Sequence, residues 1–160
     1  MTSDRELNLY YVIEPEAAGH WGEKSVVTDR SVHPLVISKL HYRFDGWSGD
    51  VLLTSSPVYI ITCEAMKKLQ EINPTGASFD NVEITTSEQF QHFHPNLKLP
   101  EFAWLKVDGK VGHDDFGIVP YRNIRAISYP EMRMVISGRV LNILKPLGIA
   151  HADMNEYVPR

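Results

Sequence analysis

Residues 57–72 read PVYIITCEAMKKLQEI and combine a strand pattern with a helix pattern. Positions 58–61 are apolar, and their β-branched and aromatic side chains are typical of a buried strand. After Thr62 the apolar residues recur at helical spacing, at positions 65, 66, 69 and 72. Threonine is a preferred N-cap because its side-chain oxygen accepts a hydrogen bond from an amide of the first turn. The stretch therefore predicts a buried strand that leads directly into a helix over about 62–72.

A second copy of this pattern lies at residues 134–147, which read MVISGRVLNILKPL. When Ser137 is superposed on Thr62, the apolar positions 65, 66 and 69 coincide with positions 140, 141 and 144. This copy predicts a helix over about 138–147, ended by Pro146 and Gly148. Neither unit can bury its apolar face alone, so we expect the two units to share one core.

The rest of the chain predicts mainly strands. Strands are expected at residues 7–13, 35–44, 78–85 and 102–107, a short helix capped by Ser87 over about 87–93, and a last apolar stretch at 149–157. Asp108-Gly109 predicts a two-residue hairpin whose return strand starts within 110–112, since both residues tolerate positive φ. Residues 14–34 and 120–131 receive no assignment. The predicted fold class is α+β: a single domain over residues 1–160, mostly antiparallel sheet with two main helices packed on it.

Composition limits the classes of function. A chain of 160 residues has the size of one domain, and 43% hydrophobic with 22% charged residues is globular. No apolar run approaches the roughly 20 residues of a membrane helix, and residues 1–6 lack the apolar core of a secretory signal. Cys63 is the only cysteine, which excludes an internal disulfide and favours a reducing cytoplasm. The net charge of −4 provides no basic surface for phosphates, so we expect neither a nucleic-acid nor a membrane partner.

Among groups that could carry chemistry, His113, Asp114 and Asp115 are the most suggestive. Such a cluster could bind a divalent metal ion or act as acid and base in a metal-dependent hydrolase. Adjacent residues of an extended chain point to opposite sides, however, so the alternative is that one aspartate caps a turn and the other is solvated. His92 and His94 have a zinc-ligand spacing but lie at a predicted helix with no third ligand nearby in sequence. With no nucleotide-binding or nucleophile motif either, we predict no catalytic, cofactor-binding or metal-binding residue.

Residues 45–50 read DGWSGD and are called the glycine turn below. Two glycines around a tryptophan are typical of a tight turn. Two roles are open for Trp47, since it either covers the edge of the core or contacts a partner. Because binding residues are often carried on loops, the glycine turn is a candidate contact region.

Five ordered motifs carry a resemblance to a known family: GDVLLTSSPVYIIT at 49–62, LPEFAWLKV at 99–107, DDFG at 114–117, MVISGRVLNIL at 134–144 and GIAHAD at 148–153. Together they resemble small bacterial immunity proteins encoded beside polymorphic or type VI secretion toxins. The likeness covers roughly residues 45 to 155. In that family these motifs build the fold, and the chain lacks the paired Cys-x-x-Cys elements of one related branch, so the zinc of that branch is not implied.

The resemblance implies a cytoplasmic, non-enzymatic protein that binds a cognate secreted toxin and neutralises it. A standard interface of about 800 Å² per partner would occupy about 20–30 residues here. The candidate contact residues come from the glycine turn and from the loop after the predicted hairpin: Asp45, Trp47, Asp50, His113, Asp114 and Asp115. The alternatives are an effector chaperone or adaptor, and the metal-dependent hydrolase at residues 113–115. The sequence predicts neither the identity of the toxin nor the oligomeric state.

Overall fold

The structure is a computed structural model that describes residues 8–32, 35–121 and 131–159. Its strands are β1 Tyr10–Glu14, β2 Gly19–Trp21, β3 Val26–Asp29, β4 Val36–Phe44, β5 Leu52–Ser55, β6 Val58–Thr62, β7 Ala77–Asp80, β8 Val82–Thr86, β9 Phe102–Val107, β10 Phe116–Tyr121, β11 Glu131–Ser137 and β12 Asp153–Glu156. The helices are α1 Cys63–Gln70, α2 Glu88–Phe93 and α3 Gly138–Leu147.

The described strands form three four-stranded sheets. Two of them are antiparallel, with the orders β10-β11-β1-β12 and β5-β6-β9-β7. The third is built on the nine-residue strand β4, which pairs antiparallel with β2 and β3 and parallel with β8. The protein is therefore mostly β.

The predicted fold class, α+β with two main helices packed on a sheet, is wrong. The described helices have only 8, 6 and 10 residues, and three sheets form most of the described fold. One reason is the unassigned segment 14–34, which contributes the short strands β2 and β3. These have three and four residues, and β3 is irregular in register against β4, so the segment shows little alternation. Another reason is the run 78–85, predicted as one strand, which is divided at Asn81 between two sheets.

The hairpin prediction at Asp108-Gly109 is also wrong. Strand β9 pairs with β6 and β7, and residues 110–112 form no return strand. The amides of Asp108 and Gly109 instead donate hydrogen bonds to the carbonyl oxygen of Gly76 (2.9 and 3.0 Å). A Cβ atom on Gly109 would collide with the backbone of Gly76 and Phe116, so glycine is required here by close backbone approach and not by a two-residue turn.

The predicted helix starts are confirmed. Thr62, Ser87 and Ser137 are N-caps in extended conformation, and their side-chain oxygens accept hydrogen bonds from the amides three residues later (3.2, 3.2 and 3.3 Å). The capping side chain and the amide that it binds are only three residues apart, so the sequence alone can predict this hydrogen bond.

The two strand-helix units share one core, as expected. Ile61, Ala65 and Leu69 of the first unit are buried in the same apolar cluster as Ile136 and Leu144 of the second. A second core lies under β4 and contains Tyr42, Phe44, Phe90, Phe102 and Trp104.

The sheet of β5, β6, β9 and β7 lies between the two cores. Along β6, Ile61 packs in the first core and Ile60 in the second, and along β9 the same alternation places Leu105 in the first and Trp104 in the second. Burial of both faces explains why residues 58–61 read as an unbroken apolar run rather than an alternating one.

Some expectations concern residues that lie outside the described ranges. Residues 1–7, in which no secretory signal is expected, lie outside these ranges. Residues 122–130, which form most of the unassigned segment 120–131, lie outside them as well. The single-domain organisation over 1–160 stays a prediction. No helix of the described ranges combines the length and the apolar character needed to span a membrane.

Candidate functional site

The glycine turn connects β4 to β5 and is fixed to its surroundings by backbone hydrogen bonds. The amides of Asp45 and Gly46 donate to the carbonyl oxygen of Ala18 (2.9 and 3.3 Å), and the amide that follows the turn, at Val51, donates to the carbonyl oxygen of Gly148 (2.9 Å). Gly49 has a φ of 101°, which a residue with a side chain adopts only under strain. The backbone of the turn is therefore fixed at both ends.

Trp47 covers the edge of the second core, which is one of the two roles that the sequence left open for it, and its contact with a partner stays a prediction. Its indole N–H donates a hydrogen bond to the carbonyl oxygen of Asp50 (2.9 Å). Its ring meets Phe102 edge to face, with centroids 6.2 Å apart, and so covers the second core. The side chain nevertheless remains half-buried and lines a surface groove. Trp47 is therefore held in one orientation while part of its ring stays accessible.

Asp45 is partly exposed at the start of the turn. Its carboxylate is hydrogen-bonded to Nδ1 of His20 (3.0 Å). Burial would raise the pKa of this carboxyl, but hydrogen bonds from Ser87 and His20 lower it below its usual value. The group is therefore charged at neutral pH and contributes a fixed negative charge to the surface.

Asp50, at the other end of the turn, is buried, with its side chain 3% exposed. Its two carboxylate oxygens are hydrogen-bonded to the backbone amide and to the ring Nδ1 of His151 (2.9 and 2.8 Å). Glu16 approaches the same imidazole, with Oε2 at 3.8 Å from Nδ1. Sequence reasoning missed this Glu16–Asp50–His151 cluster because Asp50 and His151 are 101 positions apart.

A groove of about 650 Å³ lies beside the glycine turn. The groove is lined by Trp47 and Gly49 of the glycine turn and by residues of α1. Residues 100–101 and Leu147, the last residue of α3, also line it. Its charged lining residues carry both signs: Glu64, Lys67, Lys68, Glu71 and Glu101. The groove can thus receive a partner's side chains and discriminate them by charge.

The three candidate residues at 113–115 have different environments. Asp114 accepts a hydrogen bond from the amide of Lys110 (2.7 Å) and so caps the turn, while exposed His113 lies 3.4 Å from its carboxylate. Asp115 is not solvated, contrary to the alternative drawn from the sequence. It is buried, and both of its oxygens accept hydrogen bonds from Arg139 (2.8 and 2.6 Å).

Asp115 also accepts hydrogen bonds from the Ser137 hydroxyl (2.7 Å) and the Thr75 amide (2.9 Å). Burial alone would raise the pKa of this carboxyl. The hydrogen bonds from Arg139, Thr75 and Ser137, together with the charge of Arg139, outweigh burial and lower the pKa to about 2. This carboxylate joins three segments of the fold, and its oxygens are already engaged within the chain.

No family model, curated protein or solved structure significantly matches this chain. The resemblance to immunity proteins therefore rests on the ordered sequence motifs alone. The six predicted contact residues stay predictions. Three of them belong to the glycine turn, and of these Trp47 lines the groove.

Proposed function

We propose that the protein is a cytoplasmic immunity protein that neutralises a cognate secreted toxin by stoichiometric binding. The observation that carries this proposal is the glycine turn, which presents Trp47 beside a groove of mixed charge. The ordered motifs that resemble the immunity family support it from the sequence.

A fixed loop suits a binding protein because ordering a mobile loop on association costs free energy. Here the turn is ordered before any partner arrives. The Trp47 indole is bonded to Asp50, the carboxylate of Asp50 is held by His151, and the carboxylate of Asp45 is held by His20. A partner would therefore meet a surface that is already in its bound shape.

The chemistry of this surface favours a specific protein partner. Tryptophan is enriched among the residues that dominate interface energies. The charges on α1 beside it, including Glu64 and Lys67, have both signs and would reject a partner whose charges do not match. One immunity protein must recognise one toxin, and mixed charge around an aromatic anchor provides that selectivity.

The test is co-expression with the C-terminal toxin domain of the effector encoded beside the protein. We expect the wild-type chain to restore growth and to form a one-to-one complex. Trp47→Ala should weaken the complex about 30-fold, the loss expected for an anchor worth about 2 kcal/mol. Phe93, an aromatic on α2 that is 66% exposed, provides the matched control, and Phe93→Ala should change affinity less than twofold.

Continued killing in the presence of the wild-type chain would overturn the proposed function. Binding to a different domain of the effector, without rescue of growth, would identify a chaperone or adaptor instead. If growth is restored but Trp47→Ala binds as tightly as wild type, the function stands and the glycine turn is not the contact surface.

A further inference from the structure

The Glu16–Asp50–His151 cluster brings two carboxylates and one imidazole together at the base of the glycine turn. We propose that it is a binding site for a divalent transition-metal ion of the zinc class. This site shares Asp50 with the proposed toxin contacts, but its other two residues, Glu16 and His151, are not among them. Its test requires only the purified chain and the ion.

The distances between the three side chains fit one small ion. One ligating atom from each residue lies within 4.8 Å of the other two. A point among three such atoms is at most about 2.8 Å from each of them, while zinc–nitrogen and zinc–oxygen bonds are about 2.0–2.2 Å. Side-chain shifts below about 1 Å would therefore complete the first coordination shell.

The donor set selects the class of ion. Imidazole nitrogen is a ligand for zinc, copper, iron and nickel, whereas magnesium and calcium prefer oxygen ligands alone. His151 can offer Nδ1 when the proton of its 2.8 Å hydrogen bond to Asp50 is released to solvent and the ion takes its place between the two groups. The His151 side chain is 48% exposed, so the solvent side of the site can supply water as a fourth ligand. Three protein ligands with one open position form a common arrangement in zinc proteins.

Glu16 provides a second observation that points to a cation. Its side chain is 26% exposed, and its Oε1 atom accepts a hydrogen bond from the Ser48 hydroxyl (3.4 Å). Its Oε2 atom is buried but receives no hydrogen bond from the described residues. A buried carboxylate oxygen without a donor is costly, and here it faces the imidazole of His151 at 3.8 Å, close to the carboxylate of Asp50. A bound cation would satisfy this oxygen and offset the repulsion between the two carboxylates.

The backbone holds the three ligands on separate segments. The carbonyl oxygen of Glu16 accepts a hydrogen bond from the amide of Thr54 (3.0 Å), and the amide of His151 donates to Asp50 (2.9 Å). A bound ion would therefore crosslink the segment after β1, the glycine turn and the segment before β12. Binding to the folded state alone should raise the unfolding temperature.

The experiment is calorimetric titration of the metal-free full-length chain with zinc chloride, repeated with cobalt(II) to record its visible absorption. We expect one ion per chain and a rise in unfolding temperature. Glu16→Gln, which keeps the shape of the side chain, and His151→Ala should each weaken binding at least about tenfold. The control is the double variant His92→Ala/His94→Ala, which removes another histidine pair and should bind like wild type.

Thermal unfolding without metal establishes that each variant is folded. The proposal is overturned if the wild-type chain shows no saturable binding, or if folded Glu16→Gln and His151→Ala bind zinc as tightly as wild type. Loss of binding in the His92→Ala/His94→Ala control would place the ion at α2 and would overturn it equally.

Discussion

Replacing Asp115 by asparagine tests whether one buried carboxylate joins three segments of this fold. Asn has nearly the same size as Asp, but it removes the negative charge and places an amide group against hydrogen-bond donors. Both oxygens of Asp115 accept bonds from Arg139, and one also accepts from Ser137 (2.7 Å). The variant therefore leaves buried donors unpaired without creating a cavity.

The size of the effect follows from the pKa of Asp115. The folded value of about 2 lies below the ordinary value of 3.8, and this difference of about 1.8 units corresponds to about 2 kcal/mol. A lowered pKa means that the folded state holds fewer protons than the unfolded state between these two values. The Asp115 carboxylate therefore stabilises the folded state fully above about pH 5, and this stabilisation is lost as the pH falls from about 4 towards 2.

At pH 7 we expect Asp115→Asn to reduce the free energy of unfolding by about 2–3 kcal/mol. Loss of one partner of a fully buried pair costs about 3–5 kcal/mol, but the Arg139 side chain is 46% exposed and can regain water. Urea unfolding of wild type and variant at pH 7, 5 and 3 measures the difference. The difference in free energy of unfolding between wild type and Asp115→Asn should be similar at pH 7 and pH 5 and about 1 kcal/mol smaller at pH 3.

Asp80 provides the matched control, because its exposed carboxylate lies 3.4 Å from the Lys106 ammonium group. Asp80→Asn should cost less than about 0.5 kcal/mol at pH 7, as is usual for a surface pair. The reasoning is refuted if Asp115→Asn costs no more than Asp80→Asn, or if its cost is the same at pH 7 and pH 3.

Five further substitutions test the packing and the caps by urea unfolding at pH 7. Thr62→Ala removes an N-cap and should lower the free energy of unfolding by about 1 kcal/mol. Ser137→Ala should lower it by more, because the Ser137 hydroxyl also donates a hydrogen bond to Asp115. Equal losses for the two variants would contradict this. Gly109→Ala should destabilise the fold more than Gly112→Ala. A Cβ atom at 109 would meet backbone atoms, whereas a Cβ atom at 112 would meet open space and only the φ of 78° opposes it. The reverse order would contradict the close backbone approach at Gly109. Leu144→Ala in the shared core should cost about 2–5 kcal/mol, and a loss below about 1 kcal/mol would show that this core is not tightly packed.

The candidate contact residues differ in how far sequence could place them. Asp45, Trp47 and Asp50 lie within six residues of the chain, but only Trp47 lines the groove. Sequence patterns could not show that Asp50 is buried against His151, nor that Asp115 is paired with Arg139. Whether the side chain of a loop residue is buried or exposed depends on segments that are distant in the chain.

Local sequence patterns were enough to predict the three capped helix starts, the two strand-helix units capped by Thr62 and Ser137, and the strand Phe102–Val107. These features depend on hydrogen bonds and periodicities within a few residues. The mostly β architecture, the division of 78–85 between two sheets and the Glu16–Asp50–His151 cluster became visible only in the folded chain. The pairing of strands and the convergence of side chains are contacts between distant segments, which no local pattern specifies.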